Sequence, residues 1–197
     1  MKGFIEFIIA SGREFRVLTV EIRRPRIENI KELNHFFRVV ITDTFTKEGI
    51  GEKLDEIEEE IEAKQKYLES DFESNGENRY FLIALYDDKI IGSIEYGPAS
   101  ELICNCTKNA LNNLIEIGTV FVHPDYQRNG VGNLLLNSMY ITIQQRGIEE
   151  FCLDSGYIRA QKIWKKKFGD PDYLLKDYWG DGYDHMIWRI KVKNLLK

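Results

Sequence analysis

The chain has 197 residues, 43% of them hydrophobic and 12% aromatic, which is enough to fill the core of one domain. Its formal net charge of -5 at pH 7 argues against a general nucleic-acid-binding protein, which needs excess basic residues to neutralise phosphates. The charge is uneven: residues 47–73 include eleven acidic and four basic side chains, whereas residues 159–197 include ten basic and five acidic ones. The first segment is suited to attract cations and the second anions, although solvated helix faces explain the same charges.

The first third of the chain is predicted to form two strands and then two helices. Apolar runs over 4–10 and 14–22 flank a Ser-Gly-Arg turn, which is typical of a hairpin. Apolar residues then recur at helical spacing from Ile27 to Ile41, and the segment TDTFTKEGIG is expected to end this helix. A second amphipathic helix is predicted from about Glu52, with carboxylates around its apolar stripe.

The remaining elements alternate between strands and helices. Strands are predicted over 79–86, 89–96, 114–122, 151–154, 173–176 and 185–192, and helices over 130–146 and 159–168. The Asp-Asp pair at 87–88 indicates a tight turn, and the polar segment 97–113 is expected to be a loop. Hairpins come early and helix crossovers late, so the class is α+β with a mixed, mostly antiparallel sheet in a single domain over 1–197.

The three cysteines, Cys104, Cys106 and Cys152, have neither zinc-site spacing nor a disulfide framework. An odd count of this kind is typical of a reducing compartment, so we expect a cytoplasmic protein without a metal site. The apolar N-terminal run is interrupted by Glu6 and is too short for a signal peptide or a membrane span. We therefore expect no membrane partner.

The segment VFVHPDYQRNGVGNLLLNSM, residues 120–139, predicts a strand, a proline turn and a glycine-containing helix start. A Walker loop is excluded because no Lys-Ser or Lys-Thr follows Gly132, and a dinucleotide fingerprint is excluded because Leu135 replaces its third glycine. A pyrophosphate held at a helix N-terminus fits Gln127, Arg128 and Gly130, since small residues let backbone N–H groups approach an anion.

The wider pattern IEIGTVFVHPDYQRNGVGNLLLNSM resembles the acetyl-CoA signature of the GNAT superfamily of N-acetyltransferases. The matching positions are Val122, Pro124, Tyr126, Gln127, Gly130 and Gly132. The order of elements is similar over about 16–192, with the first strand (1–15) and the 97–113 loop as additions. The resemblance implies a sheet that splays between its central strands and acetyl-CoA as the cosubstrate.

The resemblance also implies which residues contact the cofactor. Backbone groups of the central strand would pair with the pantetheine arm, the glycine loop would wrap the pyrophosphate, and Trp164 would lie near the cofactor. The strand residues are Thr119, Val120, Phe121 and Val122, and the loop residues are Gln127, Arg128, Asn129, Gly130, Val131, Gly132 and Asn133. A backbone N–H near Phe121 or Val122 is the expected donor to the thioester oxygen.

Glu116 is the first candidate for the general base, because it is a carboxylate within an apolar strand and burial would raise its pKa. An outward-facing strand glutamate is an equally good interpretation. Glu95 and His123 are weaker rivals as the base.

The acid that protonates the leaving thiolate is where the sequence departs from the family. Trp164 stands where the usual tyrosine falls, counting from Ala160, and an indole N–H is no usable acid. Three alternatives remain: Tyr157 or Tyr173 serves as the acid, the thiolate leaves unassisted with a pKa of about 8.5, or the protein is a CoA-binding regulatory module without turnover.

The expected acceptor is a primary amine, with a polyamine, a lysine side chain and a protein N-terminus as alternatives. The acidic segment 48–73 would favour a cationic acceptor. The sequence leaves the acyl chain length and the oligomeric state open, a homodimer included.

Overall fold

The computed structural model describes residues 3–11 and 14–195, which divide into two compact units. The first unit contains the described residues up to Glu95 together with Thr119–Met139, and the second contains Tyr96–Gly118 and the described residues from Tyr140 onwards. The expectation of a single domain with additions at 1–15 and 97–113 stays a prediction.

Eight strands and five α-helices occur within residues 3–11 and 14–195. They are β1 (Gly3–Ser11), β2 (Glu14–Arg23), α1 (Ile30–Glu48), α2 (Leu54–Glu73), β3 (Tyr80–Tyr86), β4 (Lys89–Pro98), α3 (Glu101–Cys106), β5 (Ile115–Val122), α4 (Val131–Gln145), β6 (Glu150–Ser155), α5 (Ile158–Phe168), β7 (Tyr173–Leu175) and β8 (His185–Lys191). Within the same residues, no helix is both long and apolar enough to cross a membrane.

The first unit contains β1, β2, β3, β4 up to Glu95 and β5 from Thr119, which follow one another in the strand order β1-β2-β3-β4-β5. β1 and β2 form an antiparallel hairpin from Gly3↔Ile22 to Ser11↔Glu14, and β2 is antiparallel to β3. β3 and β4 are joined by Asp87 and Asp88, both with positive φ (47° and 59°), as the two-residue turn of a hairpin requires. The predicted Asp-Asp turn is therefore confirmed.

Two helices of the first unit, α1 and α2, bury apolar side chains that recur at helical spacing. α1 buries Leu33, Phe36, Phe37, Val40, Ile41 and Phe45, and α2 buries Ile57, Ile61 and Leu68. The Phe37 ring lies 6.3 Å from the rings of both Phe81 and Phe121, so an aromatic core joins α1 to the sheet strands of this unit.

The first long helix ends within TDTFTKEGIG, as predicted, but late in that segment rather than at its threonines. α1 continues to Glu48 and ends at Gly49, whose left-handed φ of 79° lets its N–H bond back to Phe45 and Thr46. Thr44 and Thr46 lie within the helix and donate their hydroxyls to the carbonyls four residues earlier. The buried Phe45 continues the apolar stripe one turn beyond Ile41.

The second unit contains β5 up to Gly118 together with β6, β8 and β7, in the strand order β5-β6-β8-β7. β5 and β6 are parallel, with Ile115 opposite Phe151 and Glu116 opposite Cys152, whereas β8 is antiparallel to both of its neighbours, β6 and β7. The expected α+β class with a mixed, mostly antiparallel sheet is confirmed.

The segment 97–113 is not simply a loop, because it contains α3. Ser100 caps this helix by accepting from the Ile103 N–H at 3.3 Å. Ile103 and Leu111 are fully buried and form a hydrophobic cluster with Cys152 and Ile187. The segment therefore supplies part of the core of the second unit.

Candidate functional site

The end of β5 carries a backbone conformation that is rare within strands. Thr119 has a φ of 50°, in the left-handed region, where a β-branched residue is a genuine outlier. Such residues occur at β-bulges, which re-aim the chain next to functional sites. Thr119 is 5% exposed, whereas the following residues Val120, Phe121 and Val122 are half-buried. The backbone after Thr119 is thus both irregular and partly accessible.

A short turn connects β5 to α4. His123 opens the turn Pro124–Tyr126, and its Nδ1 accepts a hydrogen bond from the Asp125 N–H at 3.3 Å. The ring of Tyr126 lies against Tyr86 (6.0 Å between centroids) and His123 (5.9 Å). His123, the weaker rival as a base, therefore has one ring nitrogen occupied by a capping role.

The glycine loop has the geometry of an anion-binding helix start. Arg128 and Gly130 have φ values of 64° and 83°, and α4 begins at Val131. The N–H groups of Asn133 and Leu134 both bond to the Gly130 carbonyl, so the amides of the two residues before them have no intrahelical acceptor. Orphan amides and the positive end of the helix dipole together favour a phosphate.

The two glycines of the loop serve different purposes. Gly130 needs its left-handed φ, and no described heavy atom lies within 4 Å of a Cβ placed on it. A Cβ on Gly132 would lie 3.7 Å from a Val122 methyl, an ordinary van der Waals contact. The protein itself therefore leaves room at both positions, and the space over Gly132 is available to a ligand.

Gln127 fixes the loop to two other elements of the first unit. Its amide nitrogen donates to the Val122 carbonyl at 3.1 Å, and its amide oxygen accepts from Lys47 at 2.9 Å. Lys47 lies in the last turn of α1 and also pairs with Asp43. Arg128, by contrast, is exposed and makes no ion pair with any described residue. Gln127 thus supports the loop, and Arg128 can offer its charge to an anion.

Glu116, the first candidate for the base, lies half-buried in the second unit. Its carboxylate accepts a hydrogen bond from the Ser100 N–H at 2.7 Å, directly before α3. Burial raises the pKa of the neighbouring Cys152 thiol to about 12, and the negative charge of Glu116 adds to this effect. The catalytic role of Glu116 stays a prediction, and the structure gives this carboxylate a capping bond as well.

The aromatic candidates also belong to the second unit. Tyr157 is the N-cap residue of α5, and its N–H donates to the Ser155 hydroxyl at 3.1 Å. Trp164 stacks on Phe168 with 5.9 Å between centroids and an interplanar angle of 17°. Tyr173 lies in β7 and packs against the cluster around Ile103. The first unit therefore holds Thr119–Asn133, and the second holds Glu116, Tyr157, Trp164 and Tyr173.

Glu95 on β4, one of the two weaker rivals as the base, is a buried carboxylate with two polar partners. Its side chain is 1% exposed, and its oxygens contact Arg79 at 2.6 Å and the Thr119 hydroxyl at 3.2 Å. Burial raises the pKa of Glu95, and the nearby cations Arg79 and Lys64 reduce that rise. One sequence signal for this buried polar environment exists. Ser93 and Glu95 are two polar residues spaced by two, and they therefore lie on one face of an otherwise apolar strand.

A hydrogen-bonded histidine in the second unit was missed altogether. His185 is 2% exposed, with Nε2 lying 3.1 Å from an Asp154 carboxylate oxygen and Nδ1 accepting from the Trp179 indole at 3.2 Å. Residues 154 and 185 lie on neighbouring strands, β6 and β8, which are far apart in the sequence. No local motif could have indicated their contact.

Comparison with known proteins identifies the relatives of this chain. The model of the acetyltransferase (GNAT) family matches residues 48–170. A solved GNAT-family structure from Desulfovibrio desulfuricans has a TM-score of 0.67 and 18% identity, covering 88% of this chain and 99% of that one. No curated protein matches the chain.

Two further solved structures share the fold. The PaiA N-acetyltransferase from Thermoplasma acidophilum, in complex with coenzyme A, has a TM-score of 0.63 at 22% identity and covers 87% of this chain and 98% of its own. The ribosomal-protein-alanine N-acetyltransferase from Brucella melitensis has a TM-score of 0.62 at 16% identity, with 86% and 98% covered. At these identities the likeness establishes the fold.

Proposed function

This chain belongs to the GNAT acetyltransferase family, and we propose from this that it transfers the acetyl group of acetyl-CoA to a primary amine. The observation that carries the proposal is the left-handed turn at Arg128 and Gly130, which leads into the N-terminus of α4. It offers orphan amides and one exposed arginine to the pyrophosphate of the cosubstrate.

The cosubstrate would be held mainly by backbone groups. Thr119–Val122 would pair with the amides of the pantetheine arm, in the manner of a peptide that adds to a strand. Gln127–Asn133 would surround the pyrophosphate, with Gln127 keeping the loop in place through Val122 and Lys47. Support comes from the solved relative that is in complex with coenzyme A.

The chemistry would be a direct attack of a neutral amine on the thioester. A C–N bond forms at the carbonyl carbon, the C–S bond breaks, and one amine proton passes to a base or to solvent. A backbone N–H of Phe121 or Val122 would stabilise the developing oxyanion. Glu116 is the proposed base, and Tyr157 or Tyr173 is the proposed acid that protonates the thiolate. The thiolate can also leave without an acid, because the pKa of a thiol is about 8.5.

We propose a cationic acceptor, because α2 presents an acidic surface. Glu59, Glu62, Glu69 and Glu73 are exposed along this helix. A surface of one charge sign raises the local concentration of oppositely charged substrates. Polyamines, lysine side chains and protein N-termini remain the candidate acceptors, and the named N-acetyltransferases among the relatives support an amine.

A thermal-shift screen with acetyl-CoA, CoA, ATP and NAD tests the first half of the proposal. A ligand that binds only the folded state raises the apparent stability, by about 2.7 kcal/mol at a hundred times its Kd. We expect stabilisation by acetyl-CoA and CoA. Stabilisation by ATP or NAD instead would contradict the assignment of the loop.

Thiol release from acetyl-CoA in the presence of an amine panel tests the second half. We expect release that depends on a cationic amine. Tight CoA binding without acceptor-dependent release would favour the second candidate function, a CoA-binding regulatory module. That candidate is motivated by Trp164, which stacks on Phe168 where the family usually has a tyrosine.

A further inference from the structure

Thr119 needs an explanation, because threonine is poorly suited to the conformation it adopts. Its φ of 50° brings the branched side chain against its own backbone, an arrangement that persists only where the surroundings enforce it. A strand residue has a φ of roughly -120°, so the φ of Thr119 differs by about 170° from that of a regular strand residue. The groups that enforce this conformation also determine where the following backbone points.

Two side chains of β4 hold Thr119 from the neighbouring strand. Glu95 accepts the Thr119 hydroxyl at 3.2 Å, and Ser93 donates its own hydroxyl to the Thr119 carbonyl at 3.2 Å. On the other side of Val120–Val122, the N–H of His123 donates to the Ile91 carbonyl at 2.9 Å. Hydrogen bonds to β4 therefore flank the segment Val120–Val122 at both of its ends. We call Ser93 and Glu95 the β4 clamp.

The carboxylate of the clamp, Glu95, also interacts with two partly buried cations. Glu95 accepts from Arg79 at 2.6 Å, and the Arg79 guanidinium lies 3.7 Å from the centroid of the Tyr67 ring. Although burial lowers the pKa of Lys64, the carboxylates of Glu60 and Glu95 raise it overall, so Lys64 stays charged. Both oxygens of Glu95 are therefore engaged, one by a cation and one by Thr119.

We propose that Glu95, assisted by Ser93, is a positioning residue that keeps Thr119 left-handed and so fixes the backbone of Thr119–Val122 for the pantetheine arm. The inference rests on the proposed function, which assigns this backbone to acetyl-CoA. A base role fits Glu95 less well, because its oxygens are occupied by Arg79 and Thr119 and its side chain is almost completely buried.

A glycine at position 119 provides a sharp test, since glycine adopts a positive φ without help. Glu95→Gln leaves one acceptor oxygen where Arg79 and Thr119 both donate, so it should raise the Kd for acetyl-CoA about tenfold, the order expected when a hydrogen bond to a buried charged group is lost. In a Thr119→Gly background the same Glu95→Gln change should alter the Kd less than about twofold, because the clamp is no longer needed. Thr119→Val should behave like Glu95→Gln, and Thr119→Ser like the native protein.

The outcomes separate the clamp from other roles of Glu95. An equal loss of affinity from Glu95→Gln in both backgrounds would overturn the proposal. If Glu95 were the base, Glu95→Gln would lower kcat in both backgrounds. If Glu95 is the clamp, kcat at saturating acetyl-CoA should recover when Glu95→Gln is made in the Thr119→Gly background. Ser93→Ala, which removes no charge, gives a second variant if Glu95→Gln folds poorly, and it should weaken acetyl-CoA binding in the same direction.

A ligand-free measurement distinguishes failure of the clamp from failure of the proposed function. The intraresidue NOE between the amide and α protons of residue 119 is strong when φ is positive, because the two protons then lie closest together. We expect a strong NOE in the native protein and a weaker one in Glu95→Gln. A native protein that does not bind acetyl-CoA but shows this change would contradict the function and support the clamp. A positive φ that survives in both Glu95→Gln and Ser93→Ala would refute the clamp.

Discussion

Replacing each loop glycine with alanine should affect stability in opposite directions. Gly132 lies in the first turn of α4, and an added Cβ would lie 3.7 Å from the nearest Val122 methyl, so it fits without displacement. Alanine is favoured over glycine within helices by up to about 1 kcal/mol. Gly132→Ala should therefore raise the Tm of the ligand-free protein by about 2–4 °C for a chain of this size.

Gly130→Ala should lower the Tm instead. The φ of 83° at this position costs an L-residue about 1–2 kcal/mol, of which about 0.4–1 kcal/mol is offset by the lower entropy of the unfolded chain. The net loss of about 1 kcal/mol corresponds to a fall of about 2–4 °C. Gly147→Ala, with a φ of 71° after the end of α4, is a matched control and should cost a similar amount.

Acetyl-CoA should reveal a limit on the size of the side chain at position 132. The branched side chain of Gly132→Val would occupy the surface where we place the pyrophosphate, so the Kd should rise at least about tenfold, or about 1.4 kcal/mol. Calorimetric titration and melting curves with and without ligand measure both quantities. Native affinity in Gly132→Val would refute the loop assignment, and an unchanged Tm in Gly130→Ala would refute the conformational argument. Gly147→Ala should bind acetyl-CoA normally.

Three further predictions concern carboxylates and a thiol. Glu116→Gln keeps an acceptor for the Ser100 N–H, so it should retain the native Tm but lower kcat and change its pH profile; an unchanged profile would remove Glu116 as the base. Burial raises the pKa of the Cys152 thiol to about 12, so about one Cys152 thiol in ten thousand is ionised at pH 8. Iodoacetamide should therefore label Cys104 and Cys106 first, as mass spectrometry would show. Early labelling of Cys152 would contradict its burial. Asp71→Ala should lower the free energy of unfolding by about 3–5 kcal/mol in urea, because fully buried Asp71 pairs with Arg24 and the Phe81 N–H. The exposed Arg38–Glu58 pair is the control, and Arg38→Ala should change the free energy of unfolding far less than Asp71→Ala does.

Most helices and strands could be predicted because their apolar spacing is a local property of the sequence. The stripe from Leu33 to Ile41 and the Asp87-Asp88 turn are cases of this kind. α3 could not be predicted in the same way, because six residues are less than two turns and show no periodicity. Its start depends on Ser100 and on Glu116, a residue that lies sixteen positions away.

The glycine loop could also be predicted, since a left-handed turn before a helix has a local sequence signal in Gly130. The surroundings of Glu95 had no such signal. Arg79, Lys64 and Thr119 approach it from three separate elements, and only their folding together makes this carboxylate differ from any other strand glutamate. Burial and charge at a site are tertiary properties, whereas turn chemistry is a property of neighbouring residues.

The bond between Glu116 and the Ser100 N–H bears on how roles are assigned across the family. A relative that lacks α3 would have a glutamate at this position with no amide to accept from, and its carboxylate would be available for other partners. Two aligned glutamates would then differ: the carboxylate would accept a backbone hydrogen bond in one protein and would lack that bond in the other. Annotation that carries a role from chain to chain should therefore compare the segment before the central strand as well as the glutamate itself.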